Sequence, residues 1–169
     1  KEYKRPVVDA GVKDYIQLLN PNTYQKGAWI LHILRKQVGD EAFFKGIRKY
    51  YEMYQFSNAS TNDFKRVMAA ISGQDLDAFF DQWLYKKGQP IIKINWIAHN
   101  NKVRIIVDQV QDTLFEFLMD LELIYEDGTS EIKTVDVQFK SAPFVVETLQ
   151  EVKKINIDPN AWLLHELAE

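Results

Sequence analysis

The sequence predicts an α+β chain in which an all-helical segment is followed by a small antiparallel β-sandwich. Apolar residues in the first half recur every three or four positions, the period of a helix with one buried face. After Pro90 the period falls to two, as in half-buried strands. Between the two patterns, Lys86-Lys87-Gly88-Gln89-Pro90 combines basic residues, glycine and proline, which is typical of a helix end. We therefore expect domains at residues 1–89 and 90–169.

Residues that start or stop helices divide the first half. Thr23 and Asp40 are expected N-caps, Ser60-Thr61-Asn62-Asp63 is a capping-type start, and Gly39 and Gly73 are expected ends. The run from 28 to 34 is apolar nearly all round, so we expect its helix in the middle of a helical layer. The expected helices lie near residues 12–19, 23–38, 40–54, 61–71 and 75–87.

Alternating apolar and polar residues predict the strands of the second half. The longest alternation runs from Phe115 to Tyr125 and places Glu116, Asp120 and Glu122 on the polar face. Asp127-Gly128 then closes a hairpin. Short turns join the strands, which favours an antiparallel sandwich. Further strands are expected near residues 92–96, 103–107, 132–139, 143–149 and 152–157.

The composition describes a folded chain without a strong electric field. Of 169 residues, 46% are hydrophobic and only 7 are Gly and 5 Pro, which excludes disordered and collagen-like chains. A net charge of -3 argues against nucleic acid as a partner. The absence of Cys excludes disulfides and thiolate sites, but both cytoplasmic and exported locations stay open. No apolar run is long enough to span a membrane, so we expect a soluble chain.

The three histidines give no complete active site. Residues 165–169 resemble the zinc-binding pattern H-E-x-x-H, but the fifth residue is Glu, so we expect residues 162–164 to pack this segment onto the sandwich. His32 lies in the most apolar helix and is expected to be a hydrogen-bonded core residue. His99 falls in an expected turn. Glycine-rich phosphate loops and G-x-S-x-G elbows are absent from the sequence.

Five segments, in order, resemble the M1 family of gluzincin aminopeptidases. The resemblance covers residues 5–96 and implies the C-terminal helical part of a thermolysin-like catalytic domain. Val107-Asp108-Gln109-Val110-Gln111 is similar to the β-sandwich that follows that domain in the family. The five segments are Arg5-Pro6-Val7-Val8, Tyr24-Gln25-Lys26-Gly27-Ala28, Leu31-His32-Ile33-Leu34, Val38-Gly39-Asp40-Glu41-Ala42-Phe43 and Gln82-Trp83-Leu84-Tyr85-Lys86-Lys87-Gly88-Gln89-Pro90.

The resemblance implies zinc and a peptide substrate for a longer parent protein. In the family, H-E-x-x-H and a later Glu bind zinc upstream of the Arg-Pro-Val segment, so this chain is expected to hold no metal and to be inactive alone. The tyrosine of the Y-x-K-G pattern falls on Tyr24, which the resemblance identifies as the catalytic residue that stabilises the oxyanion. A neutral phenol can donate to developing charge. We expect Lys26 to be a solvated charge and Gly27 to allow close helix approach.

Other interpretations remain open at this point. The chain is alternatively a non-catalytic scaffold or peptide-binding module with a peptidase-like fold. The aromatic residues of the helix at 43–54 fit core packing, but also a peptide or sugar platform. A carbohydrate-binding sandwich would use Trp96 or Trp162. Because the chain begins with Lys1 rather than Met, we expect a cut or processed piece whose exposed truncation surface favours self-association.

Overall fold

A computed structural model describes residues 5–9 and 11–168. The chain forms two compact units that divide between Gly88 and Gln89. The first unit is helical and the second consists of two β-sheets, so the predicted α+β class is confirmed. In the described part of the chain, no helix is both long and apolar enough to cross a membrane.

Among its described residues, the helical unit contains four α-helices, one 3-10 turn and two π-helical turns. A 3-10 turn at Tyr15–Leu18 is followed by a π-helical turn at Asn22–Lys26, which continues directly into the first α-helix. A second π-helical turn, Asp81–Tyr85, ends the unit. The α-helices are α1 (Gly27–Val38), α2 (Asp40–Tyr54), α3 (Thr61–Ser72) and α4 (Asp77–Phe80).

Two of the three predicted N-caps are wrong, Asp40 by one residue and Thr23 by two. Thr23 lies inside the π-helical turn, because Pro21 already has helical angles and Asn20 supplies the side-chain oxygen that caps the turn. Asp40 lies in the first turn of α2, where its carboxylate binds Arg35 instead of capping the helix. At α3 the prediction is confirmed, since Ser60 forms a reciprocal capping box with Asp63.

An apolar core with several aromatic side chains holds the helical unit together. The Phe64 ring contacts Tyr50 and Phe80 edge to face, at centroid distances of 5.2 and 6.1 Å. The aromatic residues of α2 divide between core and surface, because Phe43 is buried while Tyr51 is exposed. The buried apolar residues of the unit are Ile30, Ile33, Leu34, Phe43, Val67, Met68, Leu76, Phe79, Phe80, Trp83 and Leu84.

One face of α1 is not covered, which corrects the expectation of a helix packed on all sides. Ile30, Ile33 and Leu34 are buried, whereas Leu31 is 41% exposed and Ala28 is exposed as well. The described residues of the unit pack against only one side of this helix. Because apolar residues occur on nearly all sides of α1, its uncovered side forms an apolar surface on the described chain.

The second unit is a sandwich of a four-stranded and a three-stranded sheet. The strand order is β5-β2-β1-β7 in the first sheet and β4-β3-β6 in the second. All neighbouring strands are antiparallel except β1 and β7, which pair in parallel, so the predicted antiparallel sandwich carries one parallel edge. The strands are β1 (Ile91–His99), β2 (Lys102–Gln109), β3 (Phe117–Tyr125), β4 (Ser130–Val137), β5 (Ser141–Glu147), β6 (Val152–Ile157) and β7 (Glu166–Leu167).

The sandwich core follows the predicted alternation with one exception. On β3, Met119, Leu121 and Leu123 are buried, as the period of two requires. Asp120 was expected on the polar face but is 3% exposed, and it accepts a hydrogen bond of 2.6 Å from Thr134 Oγ1 on the neighbouring strand. Its burial is tolerated because the carboxylate has a hydrogen-bond partner.

A buried glutamine connects three segments of the sandwich. The Gln109 side-chain amide, 4% exposed, donates to the carbonyls of Phe115 at 2.7 Å and Phe139 at 3.1 Å. Its Oε1 accepts from the Phe115 N–H at 3.1 Å and from Gln111 Nε2 at 2.7 Å. Gln109 therefore bonds to backbone groups of two residues that lie outside the strands.

Candidate functional site

Tyr24 lies in the π-helical turn immediately before α1. Asn20 starts this turn, since its Oδ1 accepts from the Asn22 N–H at 2.8 Å and its carbonyl accepts from the Tyr24 N–H at 3.2 Å. At the other end, the Gly27 N–H bonds to the carbonyls of Asn22 and Tyr24. Single π-helical turns within α-helices occur frequently at functional sites. The turn presents Tyr24 to solvent with 62% of its surface exposed.

Tyr24 lines a cavity of about 580 Å³ in the helical unit. Ile30, Leu31 and Phe64 contribute apolar walls, and the Gly27 backbone lies on the same surface. Such a mainly apolar cavity with a few polar groups is the usual form of a ligand site. The other lining residues are Thr23, Ala28, Tyr50, Ala59, Ser60, Thr61, Phe80 and Leu84.

Lys26 is a buried cation, which contradicts the expectation of a solvated charge. It is 0% exposed, and its Nζ donates to the carbonyls of Lys86 at 3.2 Å and Gly88 at 2.8 Å. Burial lowers the pKa of the Lys26 ammonium to about 8. The side chain thereby ties the turn that carries Tyr24 to the segment that follows the last helical turn of the unit.

Gly27 does not serve close helix packing, which corrects the second structural expectation for this motif. A Cβ added at this position meets no atom within 4 Å. The backbone angles, φ −58° and ψ −44°, are ordinary helical values that any L-residue adopts. Neither local packing nor backbone conformation requires a glycine here.

The histidines do not form a metal centre in the part of the chain that the structure describes. Residues 5–9 and 11–168 contain no group of three or more His, Cys, Asp or Glu side chains able to hold a metal. Zinc therefore does not fit these residues, and we assign no chemical step of this chain to a metal. In a protein that uses zinc, other residues would have to supply the ligands.

The three histidines have structural or surface environments. His165 Nδ1 lies 3.0 Å from the Leu163 carbonyl, and Glu166 accepts from Gln89 Nε2 at 2.7 Å, so the pattern at 165–169 is structural over its described residues. His99 is exposed at the end of β1. His32 is only half-buried and contacts Trp29 edge to face at 5.7 Å, although a core position was expected.

Comparison with known proteins agrees with this architecture. Residues 2–83 match the model of the Peptidase family M1 domain. The matched residues include the turn that carries Tyr24 and all four α-helices of the first unit. Through residues 2–83 the chain belongs to peptidase family M1.

Several relatives are aminopeptidases. The chain is 39% identical to aminopeptidase N of Lactococcus lactis over 41% of its own length and 8% of that protein. It is 27% identical to the alanine/arginine aminopeptidase of Saccharomyces cerevisiae over 84% of its length and 17% of the relative. Tricorn protease-interacting factor F2 of Thermoplasma volcanium is 31% identical over 73% of this chain and 14% of the relative.

A solved structure matches the fold over the whole chain. It is the Legionella pneumophila aminopeptidase A in complex with aspartic acid, with a TM-score of 0.84 at 16% sequence identity. The match covers 100% of this chain and 20% of that one. The chain therefore spans a fifth or less of the length of these relatives and of this neighbour.

The sequence pattern located Tyr24 but missed the burial of Lys26. Lys26 precedes the buried residues Ile30, Ile33 and Leu34 by four, seven and eight positions, which places it on their stripe of the helix. That spacing is a signal from which burial can be read. Nothing in the sequence indicated the cavity, because its walls come from segments far apart in the chain.

Proposed function

We propose that this chain is part of a zinc-dependent aminopeptidase that hydrolyses N-terminal residues from peptides. In this proposal the Tyr24 hydroxyl donates a hydrogen bond to the oxyanion that forms at the scissile carbonyl. The supporting observation is that Tyr24 is exposed, lines the 580 Å³ cavity and lies within the segment that matches the M1 family.

The Tyr24 side chain has the properties that an oxyanion donor needs. Its hydroxyl has no hydrogen-bond partner among residues 5–9 and 11–168, so it can bind a substrate without breaking a bond within these residues. Lys26, two residues along, fixes the same turn through its two carbonyl contacts. A donor held in place before the reaction lowers the barrier, because little reorganisation is required.

The remaining machinery belongs, in this proposal, to a longer protein. Residues 1–89 would be the helical C-terminal part of the M1 catalytic domain, and residues 90–169 the β-sandwich domain after it. Zinc, when bound by that longer protein, would supply the Lewis acid and the activated water. In this proposal the 169-residue chain alone is inactive, because its described residues offer no group of side chains that could bind the zinc.

The test is the substitution Tyr24→Phe in the complete protein that contains this chain. We expect kcat to fall by about 10²- to 10³-fold, because one oxyanion donor is lost. The zinc content should stay the same, since Tyr24 is not a ligand in this proposal. Tyr51→Phe is the matched control, because Tyr51 is 65% exposed and does not line the cavity.

Two results would contradict the proposal. An unchanged kcat in Tyr24→Phe would remove the hydroxyl from the chemistry. Hydrolysis of peptides by the 169-residue chain itself would contradict the proposal that a longer protein supplies the zinc site. Peptide binding without hydrolysis by the complete protein would instead support the alternative of a non-catalytic peptide-binding module, which the cavity also permits.

A further inference from the structure

Another cavity of the helical unit lies between α2 and α3. These helices pack against each other and border a cavity of about 340 Å³. It shares no lining residue with the cavity beside Tyr24. Its volume falls within the range of small-molecule sites, about 300–1,000 Å³. The cavity can therefore hold a small ligand, independently of the role proposed for Tyr24.

Much of the lining of this cavity is apolar. Val67, Ala70 and Ile71 of α3 contribute to it at a spacing of three and four residues, which places them on one face of the helix. Met53 of α2, with 53% of its surface exposed, lines it from the other helix. An apolar chain that covers this lining would remove apolar surface from water on both sides.

Two cations also line the cavity, one from each helix. They are Lys49 of α2 and Arg66 of α3, and both are exposed. Lys49 Nζ lies 3.3 Å from Glu52, and Arg66 pairs with Asp63, but neither carboxylate lines the cavity. An ammonium has three donors and a guanidinium five, so further N–H groups can bind an anion. The charge that suits the cavity is negative.

The Arg66 guanidinium is held in place before any ligand binds. Asp63 accepts hydrogen bonds from the Ser60 N–H at 2.8 Å, the Ser60 hydroxyl at 2.7 Å and the Tyr54 hydroxyl at 3.2 Å. These bonds, above all that of the Ser60 side chain, hold the pKa of the Asp63 carboxyl well below its usual range. Arg66 Nη2 donates to the same carboxylate. A guanidinium positioned in this way loses less freedom when it binds a ligand.

We propose that the cavity between α2 and α3 binds a small carboxylate with an apolar chain. The carboxylate would accept hydrogen bonds from Arg66 and Lys49, and the chain would cover the apolar lining. Each cation already pairs with one carboxylate of the protein, so a single negative charge fits better than the nearly double charge of a phosphate monoester. This site goes beyond the proposed function and does not rest on it.

The experiment measures binding to the 169-residue chain by amide chemical shifts. The probe is octanoate, and the control ligands are 1-octanol and octylammonium. We expect saturable shifts at Met53 and Ala70 with octanoate, with a Kd below about 5 mM. Binding of 1-octanol should be about fivefold weaker, the effect of one partly exposed ion pair. Octylammonium should not saturate, because its charge is repelled.

Charge variants separate the two parts of the ligand. Arg66→Gln should weaken octanoate about fivefold and leave 1-octanol unchanged, because only the carboxylate loses a partner. Arg48→Gln is the matched control, since Arg48 is exposed on α2 and does not line the cavity. Tyr24→Phe should bind octanoate as the unchanged chain does, so failure of this site and failure of the proposed function can be told apart.

A variant that fills the cavity tests its apolar part. Ala70→Leu should weaken octanoate and 1-octanol alike, by about tenfold, because the added side chain occupies the space of the ligand. Ala78→Leu makes the same change at an exposed position of α4 that does not line the cavity, and it should leave both affinities unchanged.

Four results would overturn the inference. Saturable shifts with octanoate could be absent up to about 10 mM, or Ala70→Leu could bind octanoate unchanged. Arg66→Gln could weaken octanoate and 1-octanol equally, which would remove the carboxylate from the recognition. Shifts at the same amides with phosphatidylglycerol vesicles but not with octanoate would make a lipid surface the partner instead of a small carboxylate.

Discussion

The two units of the chain differ in which polar and apolar groups they bury and which they expose. In the β unit, Gln109 and Asp120 are buried and each binds groups from neighbouring segments of that unit. In the helical unit, Lys26 is buried against two carbonyls, and Tyr24 and Leu31 remain open to solvent beside a cavity. The β unit thus resembles a scaffold, whereas the helical unit presents a surface suited to a ligand.

This difference indicates that the candidate site belongs to the helical unit. Exposed apolar residues occur in both units, and in the helical unit Tyr24 and Leu31 line a cavity within the segment that matches the family. Gln109 and Asp120 have hydrogen-bond partners within their own unit. Tyr24, by contrast, is exposed three residues before a glycine that neither packing nor backbone angles require.

The largest effect on stability is expected in the β unit from Gln109→Leu. The substitution leaves the Phe115 N–H and the carbonyls of Phe115 and Phe139 without this partner. Because each of the four hydrogen bonds of the Gln109 side chain contributes about 0.5–1.5 kcal/mol, we expect a loss of about 2–5 kcal/mol. Hydrogen exchange of β2 and β3 amides measures it.

Gln138→Leu is the control for that measurement. Gln138 is exposed and its side chain donates only to Asp136, at 2.8 Å, so its replacement should change the exchange free energies by less than about 0.5 kcal/mol. Equal losses in the two variants would show that Gln109 does not hold the sandwich together, and the contrast between the units would be weakened.

Lys26 provides a test in the helical unit through the pH dependence of stability. Its folded pKa of about 8 lies below the usual lysine value of 10.5, so the unfolded state binds more protons between these pH values. The free energy of unfolding should therefore rise between pH 8 and 10.5, by about 3 kcal/mol in total. Below pH 8 this group contributes no slope, because it is protonated in both states.

Urea unfolding of the helical unit at several pH values measures how the free energy of unfolding changes with pH. The contribution of Lys26 is the difference between the unchanged chain and Lys26→Met. Lys26→Met should lack the rise, whereas Lys45→Met, at an exposed position of α2, should keep it. Parallel pH profiles for the unchanged chain and Lys26→Met would show that the ammonium is not buried in solution.

The smallest expected effect comes from a pair of helical glycines. Gly27→Ala should stabilise the helical unit by about 0.5–1 kcal/mol, because the φ is helical and the added methyl meets no atom. Gly46→Ala should destabilise it, because its Cβ would collide with Met68 Sδ. Thermal unfolding of both variants checks the opposite signs. A destabilised Gly27→Ala would mean that the glycine serves the fold.

Much of the fold was predictable because it depends on local periodicity. The strands from Ile92 onward and the α3 capping box at Ser60 follow from patterns within a few residues. The predicted N-cap at Thr23 was wrong because Pro21 and Asn20 together start the turn two residues earlier. The parallel pairing of β1 with β7 was missed because it joins residues far apart in the sequence.

Sequence reasoning predicted only part of the candidate site. The motif identified Tyr24, which the structure places beside a cavity, and its catalytic role stays a prediction. The roles expected for Lys26 and Gly27 were wrong, because burial depends on which segments pack against α1. The carbonyls that receive the Lys26 ammonium lie about 60 positions later in the chain.

The sequence by itself determined the fold class, the change of period after Pro90 and the family to which residues 2–83 belong. Only the tertiary structure decided that Lys26 is buried, that α1 has an uncovered face and that Gly27 borders a cavity. The physical reason is that the spacing of apolar residues indicates which side of a helix or strand is buried. What lies opposite that side depends on contacts between residues distant in sequence.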